Sequence, residues 1–322
     1  MTPTNTTYVG VDLGGTNIQA GILDDDGKLL ASDKIKTKAE NGPEAVIDRI
    51  AKLADDLIKQ AGVSREQVGG LGIEAPGAVD YKQGLVLNAV NLRWNHVPLG
   101  QHLQDRLGIP VVVDNDVNVG TWGEYKAGAG RGHEELMGIF VGTGIGGAFI
   151  LHGRLYHGSL MTAGEIGHTV LRADAPLGQR TLENLASRTS ITNQLKQLID
   201  SNQPSCIPSL VNGNLSKVRS KVLAQAYHQE DRLTREVIGH AARYVAIAIA
   251  NAVTLLSLPC VVVGGGLTEA LQDAWIKLIQ DNFRKYVFPN QLFECRILPS
   301  ELGDDAGVIG AALLAKQRLE KD

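Results

Sequence analysis

Asp12-Leu13-Gly14-Gly15-Thr16-Asn17 puts a carboxylate at the mouth of a glycine turn. Consecutive backbone N–H groups in such a turn form a concavity that receives phosphate. A carboxylate beside it makes sense with Mg²⁺ between acid and phosphate, held directly or through water. Turn capping is the alternative use of Asp12. Gly142-Thr143-Gly144-Ile145-Gly146-Gly147 is a second such turn, and two of them can grip one polyphosphate from both sides. Its GxGxxG spelling is not a dinucleotide fingerprint, because that fingerprint opens a helix and here an apolar strand follows at 148–151. A third glycine turn, Gly264-Gly265-Gly266, ends the apolar run Cys260-Val261-Val262-Val263, where nucleotide can lie against backbone; packing is its alternative role. Asp114-Asn115-Asp116 closes the apolar run 109–113 with two acids. Either can accept a proton from an attacking hydroxyl or cap its own loop.

These groups need elements to hold them. Strands are expected at 8–12, 17–23 and 28–35, separated by Gly14-Gly15 and the tight turn Asp24-Asp25-Asp26-Gly27. A helix carrying Pro43, Val46, Ile50, Leu53 and Leu57 follows, then a strand at 68–73 ending in Glu74-Ala75-Pro76-Gly77, a helix at 99–107 and a strand at 109–113. The plan restarts with strands at 137–141, 148–151 and 154–156. Strand, glycine turn, strand, tight turn, strand thus occurs twice, roughly 130 residues apart. The expectation is an α/β chain of two similar domains with a ligand cleft between them. The first domain covers 1–118, with a C-terminal helix at about 306–322 packing back on it, and the larger second domain covers 119–305. Residues 201–216 read as a loop insertion, and Asp304-Asp305 as the cap of the last helix.

Composition narrows the partners. With 31 Lys+Arg against 35 Asp+Glu the net charge is −4, and no basic run exists, which argues against nucleic acid. Three scattered cysteines, Cys206, Cys260 and Cys295, build neither a disulfide framework nor a cysteine zinc site and point to a reducing, cytoplasmic setting. Residues 1–7 carry no secretory signal. The apolar stretch 244–263 is interrupted by Asn251, Thr254, Ser257 and Pro259, so it reads as a buried helix followed by a strand rather than a membrane span. The partner expected is a small molecule.

Asp12 to Asn17, Ala75-Pro76-Gly77, Asn91-Leu92-Arg93-Trp94, Asn115-Asp116-Val117-Asn118, Gly142 to Gly147, Ala163-Gly164-Glu165-Ile166-Gly167-His168 and Gly264-Gly265-Gly266 occur in the order of the motifs of the ROK family of sugar kinases. The chain resembles that family, in particular its glucokinases, over nearly its whole length. The resemblance implies a two-domain actin-like ATPase (ribonuclease H-like) fold, ATP with Mg²⁺, and a homodimer or homotetramer. It singles out Asp116 over Asp114 as general base. It assigns the sugar to Gly77, Asn115, Asp116, Glu165, His168 and Glu183. Without it, His168 reads as a core histidine and Glu183 as a helix-start acid. Asp12, Gly14, Gly15, Thr16, Asn17, Gly142, Thr143 and Gly144 fall to the donor phosphates and metal, and Gly264, Gly265 and Gly266 to the adenosine. The implied reaction is phosphorylation of glucose to glucose 6-phosphate. Mannose, fructose, N-acetylglucosamine and N-acetylmannosamine are alternative acceptors, and polyphosphate is an alternative donor. A sugar-sensing regulator of the same fold is the non-catalytic alternative, and it would need neither Asp116 nor Asp12.

One segment departs from the family. ROK enzymes usually carry three cysteines that join the histidine on a structural zinc, and counting back from Glu183 this chain has Asp174, Pro176 and Thr181 there. A histidine with one aspartate makes a poor tetrahedral site, so no zinc is expected.

Overall fold

The structure is a computed structural model that describes residues 6–320. Residues 1–5, most of the segment read as lacking a secretory signal, lie outside it. The chain opens with β1 (Thr7–Leu13), β2 (Asn17–Leu23) and β3 (Leu29–Lys36), an antiparallel meander. Then come α1 (Pro43–Gln60), β4 (Val68–Ala75), a small antiparallel sheet of β5 (Ala78–Asp80), β6 (Leu85–Ala89) and β7 (Trp94–Val97), α2 (Leu99–Leu107), β8 (Val111–Asn115) and α3 (Asp116–Ala127). α1 buries Val46, Ile47, Ile50, Leu53, Ala54 and Leu57 on one stripe, and each Val, Ile or Leu side chain so buried contributes about 1.5–3 kcal/mol.

The second half repeats the design with β9 (Leu136–Val141), β10 (Ile145–Leu151) and β11 (Arg154–Tyr156). Helices α4 (Leu182–Ala186), α5 (Arg188–Asp200), α6 (Ile207–Leu210), α7 (Ser220–His228) and α8 (Arg232–Leu256) precede β12 (Cys260–Gly264), α9 (Gly266–Leu271), α10 (Asp273–Tyr286) and β13 (Arg296–Pro299). The two large sheets have the same order, β3-β2-β1-β4-β8 and β11-β10-β9-β12-β13, with the third strand parallel to the fourth and the fourth to the fifth in each. α8 is long and apolar enough to cross a membrane, but most of it lies in the core of its unit, and β12 follows it as expected. The segment 201–216 is not all loop: it contains α6 and the start of a 3-10 turn at Leu215–Lys217.

The final helix, α11 (Ala306–Leu319), returns to the first sheet. It lies so close that a methyl group at Gly10 would sit 1.9 Å from the Val308 carbonyl oxygen, and one at Gly72 would sit 1.9 Å from that of Ala311. Asp305 stands before this helix without capping it. Its carboxylate accepts a hydrogen bond from Gln19 Nε2 at 2.8 Å instead.

By contacts the chain divides into two compact units. One holds the residues up to Gly132, Leu155–Ala163 and the residues from Asp304 onward; the other holds His133–Arg154 and Gly164–Gly303. The sequence reading placed the boundary at 118, within α3. That helix packs against α11, where a methyl group at Gly310 would meet the Val119 carbonyl oxygen at 2.1 Å, so α3 stays with the first unit.

Candidate active site

In the first unit the parallel strands β1, β4 and β8 end in acids. Asp12 and Glu74 are register partners, as are Glu74 and Asp114, and Ala75 and Asn115. The carboxyl groups of Asp12 and Glu74 share a hydrogen bond. Burial, and then the charges of Asp12 and Asp116, push Glu74 well above the ordinary carboxylate value. Burial also raises Asp12, against the lowering effect of the Glu74 bond and the charge of Lys34. Glu74 was not singled out in the sequence, although an acid in the run Gly72-Ile73-Glu74-Ala75-Pro76 is a legible signal.

Beside Asp12 the glycine turn is closed by the Gly14 N–H donating to the Asn17 carbonyl at 3.0 Å, while Thr37 Oγ1 donates to the Gly14 carbonyl at 2.6 Å. Thr16 uses its carbonyl on the Thr37 N–H, and Asn17 Oδ1 accepts from Lys36 Nζ at 3.0 Å. The turn is therefore braced from β3 and the residue after it.

Asn115 caps α3. Its Oδ1 accepts from the Val117 N–H at 2.9 Å and the Asn118 N–H at 3.3 Å, and its Nδ2 donates to the Gly77 carbonyl at 2.9 Å. One amide N–H is left for another partner. Gly77 needs to be glycine: its φ is 86°, and a methyl group there would lie 2.2 Å from the Asn88 carbonyl oxygen. Asp116 is the first residue of α3 and is half-buried. Burial raises its pKa to about 6; the Val117 N–H bond opposes the rise and the charge of Asp12 adds to it. A carboxylate poised there is a proton acceptor near neutral pH.

Asp114, the competing acid, is fully engaged. It is 2% exposed; its Oδ1 accepts from the Asn115 N–H at 2.8 Å and Asn118 Nδ2 at 2.9 Å, and its Oδ2 bonds His157 Nε2 at 2.8 Å and the Arg318 guanidinium. Burial would raise its pKa, but the His157 bond and Arg318 charge hold it below the ordinary range.

In the second unit, the turn after β9 is closed by the Gly142 N–H donating to the Gly144 carbonyl at 2.9 Å. Glu183, on α4, points at this turn. Its Oε2 accepts from the Ile145 N–H at 2.9 Å and would lie 2.3 Å from a methyl group at Gly144. Glu165 and His168 pair at 3.8 Å with both side chains mostly exposed, so His168 is not a core histidine, the alternative reading of that residue. Gly264 lies against the Phe140 ring, Gly265 has a φ of 88°, and Gly266 opens α9.

The loop from 169 to 182 is a small hairpin. Val170 pairs with Thr181, the Leu171 and Arg172 N–H groups donate to the Arg180 carbonyl at 2.9 and 3.2 Å, and Arg180 Nε donates to the Ala175 carbonyl at 2.5 Å.

Asp12 fits a bound Mg²⁺. It is a hard oxygen donor in a locally acidic site, and Mg²⁺ is commonly held by one or two carboxylates plus substrate phosphates rather than by a protein cage. Among the described residues no group of three or more His, Cys, Asp or Glu side chains is arranged to hold a metal ion.

Comparison with known proteins matches residues 8–318 to the ROK family. A glucokinase of Halalkalibacterium halodurans is 33% identical over 316 residues, covering 97% of this chain and 95% of that protein. A glucokinase of Thermotoga maritima is 33% identical over 97% of this chain and 98% of its own length. The crystal structure of a Streptomyces griseus ROK family glucokinase in complex with glucose and AMPPNP is 32% identical, with a TM-score of 0.83 over 97% of this chain and 99% of that one.

Proposed function

The chain belongs to the ROK family, and from that premise we propose that it transfers the γ-phosphoryl group of ATP to glucose, giving glucose 6-phosphate. The fold is the family's two-domain actin-like ATPase fold.

Asp116 carries this reading. Its carboxylate stands at the start of α3, raised to about 6 and ionised at neutral pH, where it takes the proton of the sugar hydroxyl as that oxygen attacks the γ-phosphorus. Asn115, whose amide ties Gly77 to the head of α3, keeps the remaining N–H for a neighbouring hydroxyl. Gly77, Glu165, His168 and Glu183 complete the sugar contacts, the charged acceptors reading vicinal hydroxyls. Gly14, Gly15, Thr16, Asn17, Gly142, Thr143 and Gly144 form the two turns that take the donor phosphates, the Gly14 and Gly142 N–H groups closing the turns and the remaining backbone and hydroxyl groups supplying the donors, and Gly264, Gly265 and Gly266 take the nucleoside. Asp12 would hold Mg²⁺, directly or through water, and the ion would supply charge neutralisation to the donor phosphates.

The test is a coupled assay of ADP release with and without glucose, extended to mannose, fructose, N-acetylglucosamine and N-acetylmannosamine. Glucose should give the highest kcat/KM. ADP release indifferent to every sugar would refute the reading.

A further inference from the structure

Two helices of the second unit begin against its glycine turns, and each brings an arginine. At the start of α5 the Arg188 N–H donates to the Gly142 carbonyl at 3.0 Å, Thr189 Oγ1 donates to the Thr143 carbonyl at 2.7 Å, and Arg188 Nη2 donates to Thr143 Oγ1 at 2.6 Å. α7 begins at Ser220, whose Oγ is buried without a hydrogen-bond partner and would lie 3.3 Å from a methyl group at Gly266. The residue before it is Arg219, whose Nη1 is steadied by the carbonyls of Ser216 and Val218 at 2.8 and 2.9 Å.

Arg188 and Arg219 line one cavity of about 340 Å³, joined by Lys196 from farther along α5. The lining contains no Asp or Glu. Among the described residues no carboxylate forms an ion pair with any of the three cations. Burial, and then the charge of Arg219, lower the pKa of Arg188 from its ordinary value. Cations gathered without a counter-charge are unfavourable until an anion joins them, and a guanidinium fork matches the oxygens of phosphate.

We propose that Arg188, with Arg219 and Lys196, binds the phosphate chain of the donor and forms the cationic side of the donor site next to the Thr143 turn. The proposal rests on the ATP-dependent reading above. It adds side-chain cations to a donor site so far built from glycine turns and one acid.

The test compares wild-type protein with Arg188→Ala, Arg188→Lys, Arg219→Ala and Lys196→Ala by calorimetric binding of ATP, ADP and AMP and by separate KM values for ATP and glucose. Arg188→Ala should raise the KM for ATP about tenfold or more, the loss of one charged hydrogen-bonding partner, and leave that for glucose within about twofold. Its weakening should be larger for ATP and ADP than for AMP, with Arg188→Lys recovering part of the loss. Among the described residues Lys196 forms no ion pair, so Lys196→Ala should weaken ATP about threefold in a stable protein even if Arg188→Ala is insoluble. ATP affinity unchanged in both variants, or AMP weakened as much as ATP, overturns the inference. A wild-type protein that releases no ADP with any sugar overturns the kinase reading instead. Calorimetry with inorganic tripolyphosphate then still decides whether the three cations bind a phosphate chain.

Discussion

Arg318 on α11 and Asp114 at the end of β8, 204 residues apart in the chain, form an ion pair behind the turn that carries Asn115 and Asp116. His157 bonds the same carboxylate oxygen, and Tyr81 stacks on His157 with ring centroids 3.8 Å apart and lies 4.8 Å from the guanidinium. Removing one partner leaves a buried charge short of compensation. Arg318→Ala should cost about 3 kcal/mol, read by urea unfolding at neutral pH. A cost below about 0.5 kcal/mol, the range of an ordinary surface substitution, would refute this account. Because the folded pKa of Asp114 is lowered, its contribution is present above the ordinary carboxylate pKa and is lost as pH falls through the folded value.

Asp116 gives the opposite sign. With its folded pKa raised to about 6, kcat/KM should rise with pH through about 6 as the base ionises. The same shift costs stability once the group ionises, since the unfolded chain releases the proton first. Asp116→Asn should retain glucose binding and lose about 10²–10⁴ of turnover. It should also gain about 1–2 kcal/mol of stability at pH 8, with the gain vanishing near pH 4. An active Asn variant would remove Asp116 as the base.

Gly144 and Glu183 test the geometry of the second unit. The backbone of Gly144 suits any residue, but a methyl group there meets Glu183 Oε2 at 2.3 Å. Gly144→Ala should therefore fold normally and displace Glu183, lowering kcat/KM for glucose about tenfold or more, the weight of a misplaced charged contact. Gly72→Ala provides the contrast. Its methyl would meet α11 backbone at 1.9 Å, so it should lower stability by about 3 kcal/mol or more, the upper range for overpacking.

The loop at 169–182 is closed by its own hydrogen bonds, with Arg180 Nε on the Ala175 carbonyl at its centre. Chelation should leave the melting temperature unchanged, and elemental analysis should find no stoichiometric zinc. Arg180→Ala should raise the KM for glucose, because Glu183 follows the loop directly. One tightly bound zinc per chain would overturn this expectation.

The two meanders and their glycine turns were legible because alternation and turn residues are local signals. α3 was not. Its sequence Asp116-Val117-Asn118-Val119-Gly120-Thr121-Trp122-Gly123 has no single apolar stripe, because Asn118 to Glu124 are all buried and Gly123 makes room for the backbone of Ala306 and Gly310. The small sheet β5–β7 was also missed. Its strands are short, and Arg93 and His96 sit at positive φ, which no side-chain pattern announces. At the site, the chemistry-bearing types were readable and their partners were not. Asp114 finds His157 and Arg318 at separations of 43 and 204 residues, and Asn115 spends most of its amide on a cap and on Gly77.

The first unit draws on three stretches of chain, and the last of them holds α11, whose backbone fits against Gly10 and Gly72. During synthesis from the N-terminus, every residue of the second unit leaves the ribosome before α11 does. The first sheet must wait with the faces of Gly10 and Gly72 uncovered until α11, made after the whole second unit, arrives. Synthesis and completion of the two units therefore run in opposite order: the unit whose strands are made earlier is the one that finishes folding later.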